Sequence, residues 1–563
     1  MTVFDWAQLI LFLGLLVAAT PLMGSFIAKV MAGEKHLLLR PLGFLERLSY
    51  RLGGVDAATS MTARQYVTAL MVFNLLGIAF VFALQLLQGL LPLNPQGLGA
   101  VSWHSALNTA VSFVTNTNWQ GYAGETTMSY LTQMTALTVQ NFLSAAVGIA
   151  VAVAVARGIA ARSTGTIGNF CADLVRVTVY ILLPCSVLYA LFLIGQGVVQ
   201  NFSAYVQVAT LEGGSQLIPM GPAASQVSIK MLGTNGGGFF NANSAFPFEN
   251  PTPLSNFIQM FSILLIPAAL TYTYGTITRA RRHGWVLFGV MMSLFVSMTL
   301  LSLWSEFTPN GVMGLTGMME GKETRFGVFN SVLFSNVTTS ASCGAINALH
   351  SSLSPLSGGI AMLNMMLGEI VFGGVGAGLY GMLLFVLLTV FIAGLMVGRT
   401  PEYLGKKVES REMTMVILAV LAPCACILAG TAISAVVVGG LSSLANTGPH
   451  GFSEILYAFT SAAANNGSAF AGLNANTPYY NLMLAVAMFI GRFAVIVPIL
   501  LAAGSLAVKP PAPPSAGTFE TDSAFFGGLL IAVILIVGAL TFIPALSLGP
   551  IVEHMMMIRG QSL

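Results

Sequence analysis

Four short polar runs in this sequence carry the residue types that hold a desolvated metal ion. They are Thr115-Asn116-Thr117-Asn118-Trp119-Gln120, Gly233-Thr234-Asn235-Gly236-Gly237-Gly238, Ser340-Ala341-Ser342-Cys343-Gly344-Ala345 and Ala464-Asn465-Asn466-Gly467-Ser468. Reference positions 118, 236, 344 and 467 lie 118, 108 and 123 residues apart. An ion filter needs carbonyl oxygens aimed inward from a ring. Glycine reaches backbone angles that other residues resist. Asparagine is among the few others that visit the left-handed region, so Asn118 can stand where the other runs carry Gly236, Gly344 and Gly467. Thr, Ser and Asn side chains add oxygen ligands or hold the loop from behind. Hard oxygen donors without a carboxylate cluster favour an alkali cation over calcium, magnesium or a transition metal. One such run alone is an ordinary Gly/Asn turn. Four at near-regular spacing are an internal repeat.

Each run needs a helix to deliver it. Short half-apolar segments precede them at His104–Val114, Ala223–Leu232, Phe326–Thr338 and Gly451–Ser461. A membrane-spanning helix takes about 20 residues, so these are too short and fit re-entrant helices. Their negative C-terminal ends would face the cavity and favour a cation. Bare backbone at membrane depth is tolerated only where it lines a cavity or is buried in protein.

The composition fits that setting. Of 563 residues, 7% are charged and 56% hydrophobic, with a mean hydropathy of +0.83. A soluble domain averages about 25% charged residues, so soluble, disordered and disulfide-framework classes are excluded. A net charge of +3 without a basic stripe does not suggest a nucleic-acid partner. The expected class is an all-α polytopic membrane protein with ten spans, near 4–28, 66–92, 130–156, 173–198, 254–278, 284–305, 360–398, 412–440, 478–507 and 524–548. The first is expected to be a membrane helix rather than a signal peptide, because its apolar run is long and Asp5 is its only early charge.

Basic residues orient the chain. Apart from Lys230, Lys322, Arg325 and Arg559, and Arg492 within a span, every Lys and Arg, Arg399 among them, falls in or at the edge of the segments between spans 1–2, 3–4, 5–6, 7–8 and 9–10. Those segments are expected inside, and the four polar runs and both termini outside. Spans 2–9 then form four helix–pore loop–helix units around a central pore, at 64–162, 163–283, 284–411 and 412–508. An extra helix is added at each end, in 1–63 and 509–563. The outer segment 199–253 is the best place for additional folded structure, and Lys509-Pro-Pro-Ala-Pro-Pro reads as a stiff inner linker.

From Ser357 to Gly398 the only charge is Glu369. Those residues as continuous helix would be about 63 Å long at roughly 1.5 Å per residue, about twice the hydrocarbon thickness. A break is therefore expected at Gly373-Gly374-Val375-Gly376-Ala377-Gly378, just after Glu369. Irregular backbone there must line a cavity or pack on protein, which suits a gate beneath the four runs. Gly376-Ala377-Gly378-Leu379-Tyr380-Gly381 fits GxGxxG, but no strand precedes it and a dinucleotide site is rejected. Arg492 is the lone charge of span 9. Intramembrane charge is costly and usually functional. Two roles stand open for it: an ion pair with Glu369, or a positive barrier that limits leak. The five cysteines show no metal spacing, and the six histidines form no HExxH site. No P-loop and no Asp-Lys-Thr-Gly phosphorylation sequence occurs, so ATP hydrolysis by this chain is not expected.

The runs Gly233–Ser244 and Ser340–Ala345, with Asn116–Gln120 and Asn465–Ser468, closely resemble the potassium-translocating A subunits of bacterial Kdp ATPases. The resemblance extends over essentially the whole chain. It implies membership of a superfamily of potassium transporters related to potassium channels by fourfold duplication. It also implies a potassium filter of Asn116, Thr117, Asn118, Thr234, Asn235, Gly236, Ser342, Cys343, Gly344, Asn465, Asn466 and Gly467. The first run departs from the superfamily's usual glycine at Asn118. An intramembrane loop in span 7 and a basic barrier at Arg492 are implied as well. The partners implied are the other Kdp proteins: the B subunit (the P-type ATPase itself), the C subunit and the small F subunit. Potassium is the transported ion, and no nucleotide is implied on this chain. The place implied is the bacterial inner membrane, and the role is high-affinity potassium uptake. A self-contained channel or cation symporter with the same filter is the alternative, and a non-transporting membrane scaffold is a more distant one.

Overall fold

A computed structural model describes residues 1–398, 400–511 and 520–561. Arg399, and residues 512–514 of the proline-rich linker, lie outside the described residues.

Among the described residues, ten helices are long and apolar enough to cross a membrane. They run Val3–Ala32, Ala63–Leu90, Thr132–Ala160, Phe170–Gln196, Pro253–Ile277, Arg281–Phe307, Ala377–Met396, Ser410–Ser434, Pro478–Val508 and Ala524–Leu548, here spans 1 to 10. Local chemistry fixes several starts. Thr2 with Asp5, Thr62 with Gln65 and Thr252 with Ser255 form reciprocal caps, and Thr477 and Ser523 cap spans 9 and 10. Pro253 and Pro478 sit in the first turn, where their missing N–H costs nothing. Pro21, Pro267, Pro423, Pro498 and Pro544 lie inside spans. Neighbouring helices make such interruptions tolerable in a membrane bundle.

The expected long seventh span is two helices. Pro355–Met366 ends, residues 367–376 run as an irregular segment, and Ala377–Met396 continues. Gly368, Glu369, Phe372, Gly373 and Gly376 all have positive φ there.

Short helices deliver the four runs: Trp103–Val114, Ala223–Leu232, Gly327–Ser340 and Gly448–Ala463. The last starts three residues earlier than the sequence suggests, because Pro449 fits the first helical turn. Burial separates inner helices from outer ones. Span 3 is 83% buried and span 5 is 72% buried, whereas span 2 is only 17% buried. The helix after each of the first two runs therefore lines the interior, and the helix before the first run faces out. Span 1 packs along span 5, where Thr273 Oγ1 donates to the Gly24 carbonyl at 3.0 Å. Span 10 lies against spans 6 and 7.

Among the described residues, two short hairpins add β structure to the helices. The 199–253 segment carries an antiparallel hairpin, Val206–Ala209 with Ser215–Ile218, and a second small hairpin pairs Glu402–Tyr403 with Lys406–Lys407.

Candidate functional site

The four runs close into a ring in chain order. Asn116 Nδ2 donates to the carbonyls of Gly233 and Thr234, each at 3.2 Å, joining runs one and two. Gly236 lies against run three so closely that a Cβ on it would meet Gly344 N at 1.9 Å. Ser342 Oγ donates to the Asn465 carbonyl at 3.0 Å, joining runs three and four. Asn465 Nδ2 donates to Thr117 Oγ1 at 2.9 Å and closes the circle.

Backbone conformation repeats within the ring. Asn116, Thr234, Ser342 and Asn465, the first residue of each triplet, all have φ between 47° and 66°. The third residues Asn118, Gly236 and Gly467 are left-handed too, at 54°, 84° and 101°. Alternating backbone hands are a pattern by which a short stretch can turn successive carbonyls toward one side. Thr234 is β-branched, and a positive φ there is a strained conformation that the surroundings must impose. Asn118 adopts the left-handed geometry expected of it, and its Nδ2 donates to Asn141 Oδ1 at 2.7 Å. Gly344 differs, since its φ is not positive. Close approach demands glycine there, because a Cβ would sit 2.7 Å from the Gly467 carbonyl carbon.

The short helices hold the runs by their C-terminal carbonyls. The Ser112 carbonyl accepts from Thr117 N and Asn118 N, and the Lys230 carbonyl from Asn235 N. The Thr338 and Ser461 carbonyls do the same for Cys343 N and Asn466 N. These are the negative helix ends that the sequence aims at the site. All twelve triplet residues are buried or nearly so, and Cys343 is a fully buried free thiol.

Two cavities flank the ring. A cavity of about 630 Å³, on the side that the basic-residue bias would place outside, is lined by Asn118, Gly236, Gly344 and Gly467, the third residue of every triplet. A smaller one of about 80 Å³ touches Ser342 and Asn465, first residues of their triplets, and holds Glu369 and Arg492 in its wall.

The irregular segment of span 7 packs directly on the ring. Val375 N donates to Thr234 Oγ1 at 3.0 Å, and Gly373 N to the Ser340 carbonyl at 3.0 Å. Gly374 lies against the Ser342 side chain. Gly376 is wedged on span 3, where a Cβ would fall 1.9 Å from the Gly148 carbonyl oxygen. Gly378, in the first turn of the helix that follows, backs on the Phe372 carbonyl of the loop.

Glu369 and Arg492 share a cavity but form no ion pair, so the pairing envisaged from sequence does not occur. Arg492 Nη2 instead donates to the Ser144 carbonyl of span 3 at 3.1 Å. Glu369 sits on the loop, 2% exposed, and neither carboxyl oxygen has a hydrogen-bond partner among the described residues. The physical reason is placement. Span 9 turns Arg492 toward span 3, where it bonds the Ser144 carbonyl, whereas Glu369 is carried by the irregular loop.

Residues behind the ring escape sequence reasoning. Lys230, Asn243 and Glu249 form a buried cluster behind run two, and Asn243 Nδ2 donates to the Gly236 carbonyl at 2.7 Å. Ser144 Oγ donates to Asn116 Oδ1 at 2.7 Å from span 3. A lysine inside a half-apolar ten-residue helix was the available signal for the first of these. Among the described residues, no group of His, Cys, Asp and Glu could hold a metal ion.

The family model described as potassium-transporting ATPase A subunit matches residues 10–555. The chain belongs to this family. Relatives named potassium-transporting ATPase potassium-binding subunit include one from Polynucleobacter asymbioticus, 54% identical over 98% of each chain. Another, from Rhodospirillum centenum, is 56% identical over 100% of this chain and 99% of its own. Among solved structures, the potassium transporter TrkH from Vibrio parahaemolyticus superposes with a TM-score of 0.53 at 15% identity, covering 89% of this chain and 98% of its own. That likeness establishes a shared fold, which is ten-helix and membrane-spanning here.

Proposed function

We propose that the chain is the potassium-binding and translocating subunit of an ATP-driven uptake pump, with the four-triplet ring as its filter. The observation that carries the reading is the ring itself: strained, left-handed backbone closes in chain order between the two cavities. Strain of this kind persists where the surrounding structure over-determines it, as at ion-binding and catalytic sites. Family membership and the relatives' names supply the ion and the ATPase context.

Potassium enters the outer cavity and exchanges hydration water for ring oxygens. Asn116, Thr117, Asn118, Thr234, Asn235, Gly236, Ser342, Cys343, Gly344, Asn465, Asn466 and Gly467 form that filter. Gly373, Gly374, Gly376 and Gly378 let the span 7 loop lie beneath it as a gate. The loop sets how far the ion passes. Glu369 offers an unpaired carboxyl group to a cation that has crossed, and Arg492 repels one that goes further. The ion then moves to the P-type ATPase of the pump, its B subunit, in an assembly completed by the C and F subunits. The assembly sits in a bacterial inner membrane, and both termini of this chain lie outside. The four repeat units are those bounded at 64, 163, 284 and 412.

Gentle purification from native membrane, followed by ATP hydrolysis assays, tests this reading. Activity stimulated by potassium and not by sodium is expected. A preparation that binds potassium but hydrolyses no ATP, and conducts it passively, would favour a self-contained channel or symporter instead.

Glu369→Gln tests the inner cavity. It keeps the shape and removes the charge, so potassium turnover should fall about tenfold, equivalent to about 1.4 kcal/mol. Ion binding at the ring should change little. Turnover indistinguishable from the parent's would remove Glu369 from the path.

A further inference from the structure

The ring has fourfold pseudo-symmetry, and one position breaks it in a chemically expensive way. Four residues before each triplet stand Ser112, Lys230, Thr338 and Ser461. The backbone carbonyl of each caps its own run. Three side chains at this position are small hydroxyls. Ser112 Oγ donates to the Trp119 carbonyl at 3.0 Å, and Ser461 Oγ accepts from Gly467 N at 3.0 Å. In those two units the hydroxyl ties the helix to the outer end of the run. In unit two a lysine takes the place, wholly buried and ion-paired with wholly buried Glu249.

A buried ion pair is not a cheap way to gain stability, because desolvation can exceed the attraction. Its geometry suggests another use. Lys230 Nζ donates to Asn243 Oδ1 at 2.7 Å. That fixes which way the amide faces, so Asn243 Nδ2 must point to the Gly236 carbonyl, which it reaches at 2.7 Å. Glu249 secures the far side, since its second oxygen accepts from Phe240 N at 2.7 Å. Asn243 and Gly236 both line the outer cavity. The ammonium therefore does at a distance what the serine hydroxyls do directly: it braces the outer end of the run.

We infer that Lys230 and Glu249 are positioning residues, acting through Asn243, that set the Gly236 carbonyl and so tune discrimination among alkali cations at the outer end of the ring. The inference rests on the ring being the cation filter. The ion pair holds the amide in one orientation; the amide then engages one lone pair of the Gly236 carbonyl and fixes its angle to the axis. A ring in which one carbonyl is free to swing accepts ions of more than one radius. This differs from a direct ligand role, because the lysine touches no ion.

Asn243→Asp separates the links. It is isosteric, suits the left-handed φ of 51° at this position, and can still face Lys230, but it cannot donate to Gly236. Lys230→Met combined with Glu249→Gln removes the ion pair without stranding a buried charge. The experiment is equilibrium competition of potassium, rubidium and sodium for the purified full-length chain, with thermal stability measured alongside. In both variants the preference for potassium over sodium is expected to narrow by about tenfold. Asn243→Gln, a longer amide that retains the donor, should recover part of it. A stable Asn243→Asp protein with the parent's cation preference would overturn the inference, as would a change confined to melting temperature. Failure of the underlying filter reading looks different: the unaltered chain itself would then show no cation preference.

Discussion

Replacing Gly236 with aspartate should reduce potassium affinity by about tenfold to a hundredfold, or roughly 1.4 to 2.8 kcal/mol. The reasons are local and additive in direction. Gly236 has a φ of 84°, where an L side chain is strained. Its Cβ would meet Gly344 N at 1.9 Å and Gly344 Cα at 2.4 Å, both backbone atoms that cannot swing aside. Runs two and three must then move apart, and both present carbonyls to the ring. The carboxylate adds charge beside a site built from neutral oxygens. Gly236→Ala isolates the steric part and should move affinity in the same direction by less. Rubidium and potassium titrations of the three proteins measure both effects. An Asp variant with unaltered potassium and rubidium dependence would remove Gly236 from the filter.

Replacing Arg492 with methionine should raise passive cation leak about thirtyfold. Methionine keeps much of the length and volume but removes the charge. A unit charge roughly 8 Å from another, at an effective dielectric of about 20, contributes about 2 kcal/mol, the size of that change. The structure sharpens this expectation by withdrawing its competitor. Arg492 and Glu369 form no ion pair; Arg492 donates to the neutral Ser144 carbonyl and lines the cavity wall. A structural ion pair would have predicted loss of stability as the main outcome. Rubidium flux into vesicles without ATP separates the two, because a barrier residue changes leak and a merely structural one changes the melting temperature. Unchanged leak with intact turnover would contradict the barrier role.

Much of this was legible in the sequence for identifiable reasons. Ten apolar stretches of about 20 residues read directly because hydrocarbon thickness fixes helix length. The break after Glu369 was readable because the apolar run was twice too long and held four closely spaced glycines. The four polar runs could be named from their repetition, the twelve triplet residues came from the family resemblance, and left-handed backbone at Asn118, Gly236 and Gly467 follows from what Asn and Gly tolerate. Left-handed Thr234 was not legible, since no intrinsic preference of threonine produces it. The surrounding ring imposes it, through contacts such as Val375 N on its hydroxyl. Nor was the Lys230–Asn243–Glu249 cluster, whose members come together only when the loop after run two folds back on its own helix. The Glu369–Arg492 pairing failed for the same reason. Two charges in facing spans are near each other in sequence logic, but helix rotation decides where each points.

Equilibrium binding of potassium to the purified full-length chain, in ion-free buffer with rubidium and sodium as competitors, tests the central claim most directly. The ring account predicts saturable binding displaced by rubidium and hardly by sodium, and weakened in Gly236→Asp. Sodium displacing potassium as well as rubidium does, or binding unaffected by Gly236→Asp, would contradict it.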